Sequence, residues 1–178
     1  MKTAMISKKM IKALNEQIAL EGYASYLYLS MASWCDKEAL EGCAQFMHRQ
    51  SEEERMHMLK IFHYLSEVDG HALTPAIKQP PHEFESVRSM LEQVYKHEQK
   101  VTASINKLVK LSYEENDFTT LDFLQWYVEE QREEEALMRS ILDKVKLIGD
   151  GPMSLYYIDQ EIEKINGKAA AEAAAGEA

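Results

Sequence analysis

This chain of 178 residues predicts an all-α fold: an antiparallel four-helix bundle with a long crossover between the second and third helices and a short C-terminal fifth helix. Three observations carry that expectation. Four long stretches repeat mostly apolar residues at alternating spacings of three and four, which keeps side chains on one helix face and suits packing at a shallow crossing angle. Glycine and proline number only 7 and 4 and gather at a few breaks, the punctuation of helices rather than strands. Each stretch also carries one acid near the middle of its apolar seam, Glu21, Glu54, Glu98 and Glu134 in turn, where a bundle keeps its core.

The elements follow in order. Ser7 is a suitable N-cap for a first helix reaching about Cys35, with the seam Ile11, Leu14, Ile18, Glu21, Ser25, Tyr28 and Ala32. Asp36 is a suitable cap for a second, reaching about Val68 along Leu40, Cys43, Met47, Gln50, Glu54, His57, Ile61 and Tyr64. The short connection makes these two antiparallel. Gly70 ends the second helix, and the segment through Thr74, Pro75, Pro80 and Pro81 has no helical period. At about 3.3 Å per residue its roughly fifteen residues can span a helix about 45 Å long, enough for an overhand crossover.

The third helix is expected to begin between Glu83 and Ser86 and to end near Glu114, along Val87, Leu91, Val94, Glu98, Val101, Ile105, Leu108 and Ser112. Asn116 and Asp117 mark a tight turn into the fourth, which runs to Gly149 along Leu124, Tyr127, Gln131, Glu134, Met138, Ile141, Val145 and Ile148. After Asp150, Gly151 and Pro152 a short fifth helix carries Leu155, Ile158, Ile162 and Ile165. It is too brief to stand unless it packs on something, a neighbouring subunit being one partner for it. Residues 1–166 make one domain, and 167–178 form a low-complexity, alanine-rich tail that is able to be helical but has no apolar face.

A formal net charge of −10 argues against nucleic acid or an anionic membrane as partner, since both need clustered Lys and Arg. Cys35 and Cys43 lack the spacing of a zinc site or a disulfide framework. No segment has the length of a membrane span, and Met1 to Ile6 lack the apolar run of a signal peptide. A cytoplasmic protein is expected.

Counting from the turns brings the four acids together. Glu21 and Glu54 lie at similar distances from the first turn, Glu98 and Glu134 at similar distances from the second, so all four meet near mid-bundle. His57 and Gln131, three residues from Glu54 and Glu134, share their faces. Buried carboxylates without partners are costly, and no Lys or Arg occupies the seams. Metal is the compensating charge, and two divalent cations balance four carboxylates. Oxygen-rich ligation with one imidazole suits iron or manganese better than zinc or copper.

Di-iron carboxylate bundles set one Glu on each of two helices and Glu-x-x-His on each of the other two. Here the second helix has Glu54-Arg55-Met56-His57, but the fourth has Gln131-Arg132-Glu133-Glu134 without a histidine. With Leu20-Glu21-Gly22-Tyr23, Glu53 to His57, Tyr95 to Glu98, and Phe123 to Tyr127 through Glu135, the chain closely resembles the bacterial non-haem ferritins over about residues 7 to 166.

That resemblance implies a ferroxidase and iron store. The first iron would be held by Glu21, Glu54 and His57, and the second by Glu54, Glu98 and Glu134, with Gln131 beside it. Tyr28 would be a nearby electron donor and Trp126 a supporting aromatic. It also implies a third iron site from Glu53, Glu130, Glu133 and Glu134, and a hollow homo-oligomeric shell of 24 subunits that takes ferrous iron and dioxygen or peroxide. By spacing alone, Glu53, Glu130 and Glu133 fit a solvated face equally well.

Other readings of the bundle differ at named positions. A rubrerythrin would resemble a doubled Glu-x-x-His with an added Cys-x-x-Cys module, and neither is in this sequence. A bacterioferritin would carry its haem-binding methionine where this chain has Arg55, so no haem is expected. A purely structural bundle would be expected to lose the seam acids.

Overall fold

The structure, a computed structural model, describes residues 6–176, so the outermost ends of the two expected segments, residues 1–5 and 177–178, lie outside the described residues. Five helices follow in order: α1 (Lys8–Lys37), α2 (Glu41–Glu67), α3 (Val87–Glu115), α4 (Phe118–Ile148) and α5 (Ser154–Gly176). No described helix is long and apolar enough to cross a membrane.

Three starts carry local side-chain caps, the first of them Ser7, as expected. Ser7 accepts from the Met10 amide, Ser86 from that of Ser89 and Asp117 from that of Thr120, each answering one of the amides a helix start leaves open. The start of α2 differs from expectation. Asp36 lies inside α1, which continues to Lys37 and stops where Ala39 turns left-handed at φ 59°. Leu40 N then donates to Cys35 O and Ala39 N to Asp36 O, the paired bonds of a Schellman ending. Leu40 and Cys35 share one apolar cluster, so burial of Leu40 sets the turn and displaces the cap forward. The same ending recurs at Asp69 (φ 62°) and Asn116 (φ 55°), where Gly70 N donates to Leu65 O and Asp117 N to Ser112 O. Gly70 is therefore the residue after the left-handed one. A Cβ there would stand 2.9 Å from Leu65 Cδ2.

Contacts between helix ends fix the topology. Ser7 at the start of α1 donates to Glu115 at the end of α3 (2.6 Å). The Tyr64 and Thr120 hydroxyls, 2.7 Å apart, join the end of α2 to the start of α4. Neighbouring helices are thus antiparallel, and α2 runs parallel to α3, which requires the crossover. That crossover lies along α1: Asn15 bonds the backbone of His71 and Leu73, Ser30 donates to Pro81 O, and Lys37 pairs with Glu83 at 3.0 Å.

The seams are buried except at Ile11 and Ile148. Two apolar clusters fill the bundle. One is built around Tyr28, Met47, Leu91 and Met138, the other around Leu14, Ile61, Ile105 and Leu124. Between them lies a buried polar layer holding Glu21, Glu54, His57, Glu98, Gln131 and Glu134.

Helix α5, the shortest of the five, buries Ile158 and Ile162 on its own chain, leaves Leu155 exposed, and continues past Ile165 through the alanine-rich residues. Leu40 offers α2 no side-chain cap. Asp159 of α5 does so instead, accepting from Gly42 N (3.2 Å) and Cys43 N (2.8 Å). Gly42 is what allows the approach, because a Cβ there would lie 2.4 Å from Asp159 O.

Candidate metal centre

Glu21 on α1 and Glu54 and His57 on α2 converge in the polar layer, each offering a ligand atom within 4.8 Å of the others. The three-residue step from Glu54 to His57 puts carboxylate and imidazole on one face, and His57 Nδ1 stands 3.4 Å from Glu54 Oε2. Glu21 Oε2 and both Glu54 oxygens are buried without a hydrogen-bond partner. Buried carboxylate oxygens left open in this way, beside an imidazole, fit a cation.

Glu98 and Glu134 close the other side of the layer. Tyr28 donates its hydroxyl to Glu98 Oε1, and Gln131 Nε2 reaches Glu98 Oε2 at 3.1 Å. Gln50 Nε2 lies 3.4 Å from both oxygens of Glu134.

Burial is the main force on every carboxyl in the layer. It pushes Glu21 well above the carboxylate range, with the charge of Glu54 adding to it. It raises Glu54 likewise, with Glu98 next in effect. Glu98 is raised by burial against the opposing hydrogen bonds of Tyr28 and Gln131, and Glu134 is pushed up to about 8 by burial and then by Glu98. A bound cation reverses these shifts by favouring the charged forms. Burial and the Glu98 charge also hold Tyr28 well above its ordinary value, so its proton stays on.

The outer acids have different surroundings. Glu130 Oε1 lies 3.7 Å from His57 Nε2. Glu53 is held by Arg49 at 2.6 Å and Gln50 at 2.7 Å. Glu133 is 67% exposed and paired with Arg132 at 3.2 Å. Trp126 meets the His57 ring edge-on at 5.2 Å. It borders a surface groove of about 700 Å³ between α2 and α4 that is also lined by Glu53, Glu130 and the edge of the buried His57.

Several further residues shape the layer. Gln17 donates to Glu21 Oε1 at 2.8 Å and is itself held by Ser104. Tyr127 donates to His57 O at 2.7 Å. His97 is buried between Tyr23 and Tyr28 at ring distances of 6.0 Å, and burial lowers it to about 4. A signal was available for the amides: Gln17 and Gln50 each stand one turn before a seam glutamate.

Comparison with known proteins agrees with this geometry. A ferritin family model, described as a ferritin-like domain, matches residues 11–148. A bacterial non-haem ferritin of Campylobacter jejuni is 48% identical over 161 residues, 90% of this chain and 96% of that protein. A probable bacterial non-haem ferritin-like protein of Haemophilus influenzae is 44% identical over 165 residues, 93% of this chain and 100% of that protein. An open-pore ferritin from the hyperthermophilic archaeon Archaeoglobus fulgidus superposes with a TM-score of 0.87 at 45% identity, covering 90% of this chain and 98% of that one. With five helices in this order around a layer of buried carboxylates, the chain belongs to the ferritin family, as one of its bacterial non-haem members.

Proposed function

We propose that this protein is an iron-storage ferritin that oxidises ferrous iron with dioxygen and keeps the ferric product in a hollow cytoplasmic shell of 24 copies. Iron is its substrate and cargo. Glu21, Glu54 and His57 hold the first ion, and Glu54, Glu98 and Glu134 the second, so Glu54 bridges them. Gln131 orients Glu98 through its amide, and Tyr28 is placed to give an electron. Glu53, Glu130, Glu133 and Glu134 form an outer position for a third ion, on the side where the groove opens. Two ferrous ions yield two electrons, which dioxygen accepts; peroxide is the alternative oxidant.

One observation supports this above the rest: the open buried oxygens of Glu21 and Glu54, gathered with His57 within 4.8 Å. Carboxylate donors favour the ferric over the ferrous state, which gives the site its redox direction. The shell is supported by the ferritin relatives and by Tyr26 and Leu29, a turn apart on α1 and exposed.

Sizing the metal-free protein, adding ferrous iron without oxygen and then admitting air tests both halves. A large shell retaining many irons per chain is expected. A monomer or dimer that keeps only a couple would end the storage reading. Glu54→Ala is expected to abolish the fast phase of oxidation and leave the particle assembled; unchanged stopped-flow traces would remove Glu54 from the centre.

A further inference from the structure

Glu53 already has a cation of the chain's own. Arg49, one helical turn earlier on α2, donates through Nη1 to Glu53 Oε1 at 2.6 Å. Its Nε donates to Asn166 Oδ1 of α5, also at 2.6 Å. The guanidinium carbon lies 5.7 Å from the centre of the Phe46 ring, and Nη2 is buried without a partner. Arg49 and Glu53 are 23% and 25% exposed, whereas the surface pair Lys12–Glu16 is 81% and 69% exposed. Solvent therefore screens Arg49–Glu53 far less. The other Glu53 oxygen accepts from Gln50 Nε2 at 2.7 Å, and that amide reaches Glu134 at 3.4 Å. Polar contacts thus run without a gap from Asn166 on α5 through Arg49, Glu53 and Gln50 to Glu134.

Building on the proposed iron chemistry, we infer that Arg49 is a resident competitor for a divalent cation at the outer position of Glu53, Glu130 and Glu134, and that α5, through Asn166, sets how readily it yields. A guanidinium and a divalent ion compete for Glu53, because their charges repel and Nη1 already stands 2.6 Å from Oε1. The competition persists at any working pH, since arginine stays charged. Displacing Arg49 also breaks its tie to Asn166, so the hold of α5 adds to the cost of filling the outer position. Glu21, Glu54 and His57 make no hydrogen bond or ion pair with Arg49. The position at Glu21, Glu54 and His57 therefore fills before the outer one, whose ion is the last to bind and the first to leave.

Calorimetric titration of the full-length, metal-free protein with Zn²⁺, which does not change oxidation state, tests this. In Arg49→Gln the weakest binding event is expected to tighten about tenfold, the worth of one charge-assisted hydrogen bond, while the tighter events stay as they are. Asn166→Ala is expected to shift the same event in the same direction by less, and Arg49→Lys, which keeps the charge but loses the tie to Asn166, to fall between wild type and Arg49→Gln. Anomalous scattering from zinc in Arg49→Gln crystals should place the tightened ion at Glu53. An unchanged or weakened last event in both Arg49→Gln and Asn166→Ala, with the tight events intact, overturns the role of Arg49 alone. No Zn²⁺ binding to the wild type at all overturns the metal centre as well.

Discussion

Burial without a basic partner lifts the Glu134 carboxyl to about 8, and its three companions are displaced the same way. An unfolded glutamate titrates near about 4.3, so the folded metal-free protein holds the proton to higher pH than the unfolded chain does. The stability that goes with this proton is complete below about pH 4.3 and is lost as pH rises through about 8. The melting temperature of the metal-free protein is therefore expected to fall between about pH 5 and pH 8, and less steeply in Glu134→Gln. A wild-type melting curve insensitive to pH over that window would contradict the shifts. At this scale the charged members of the layer were legible in the sequence, because an acid on an apolar seam breaks a pattern. Gln17 and Gln50 were not given roles, since the first lies off its helix's seam, an amide on a seam is a smaller anomaly than an acid, and the partner of either depends on side-chain direction. The burial of His97 was not legible, because it lies beside the seam, where helix periodicity alone does not predict burial.

Helix starts separate what a local sequence shows from what it hides. Ser7, Ser86 and Asp117 cap their own helices within three residues; Ser7 was legible as a cap, whereas Ser86 bounded a helix start and Asp117 marked a turn. The cap of α2 comes from Asp159, 116 residues from Cys43, and no local pattern announces it. Asp159→Ala is expected to destabilise the protein by about 1 kcal/mol, the usual worth of a helix cap. Gly42→Ala is expected to do more, because its methyl group meets Asp159 O and must push α5 away. Both effects belong in denaturant curves of the metal-free protein. Equal stability of Gly42→Ala and wild type would mean that α5 does not sit against α2 as described. The crossover was legible as a long connection from its prolines and missing period. Its path along α1 was not, because it depends on Asn15 and Ser30 bonding backbone far along the chain.

Over the whole molecule, the polar layer joins four helices through like charges, so whatever cation enters links elements that otherwise repel one another. A site on the folded state alone stabilises it by about 2.7 kcal/mol when the free ion is at a hundred times its dissociation constant. For a domain of this size each kcal/mol is worth about 2–4 °C. Zn²⁺ is thus expected to raise the melting temperature by several degrees in scanning calorimetry, and much less in Glu54→Ala. An equal rise in both proteins would place the ion elsewhere.

The layer has a second consequence, for alignment. The two apolar clusters above and below it are built from similar residues, so packing alone would tolerate one helix sliding a turn, about 5.4 Å, along its neighbours. Such a slide would move a glutamate toward Leu14 and Ile61 on one side or Met47 and Met138 on the other, away from the His57 imidazole and the Gln131 amide at its own level. The acids that weaken the metal-free protein thereby act as a vernier: of the many ways to stack four greasy rods, only the one in which all the marks coincide keeps every carboxylate out of oil.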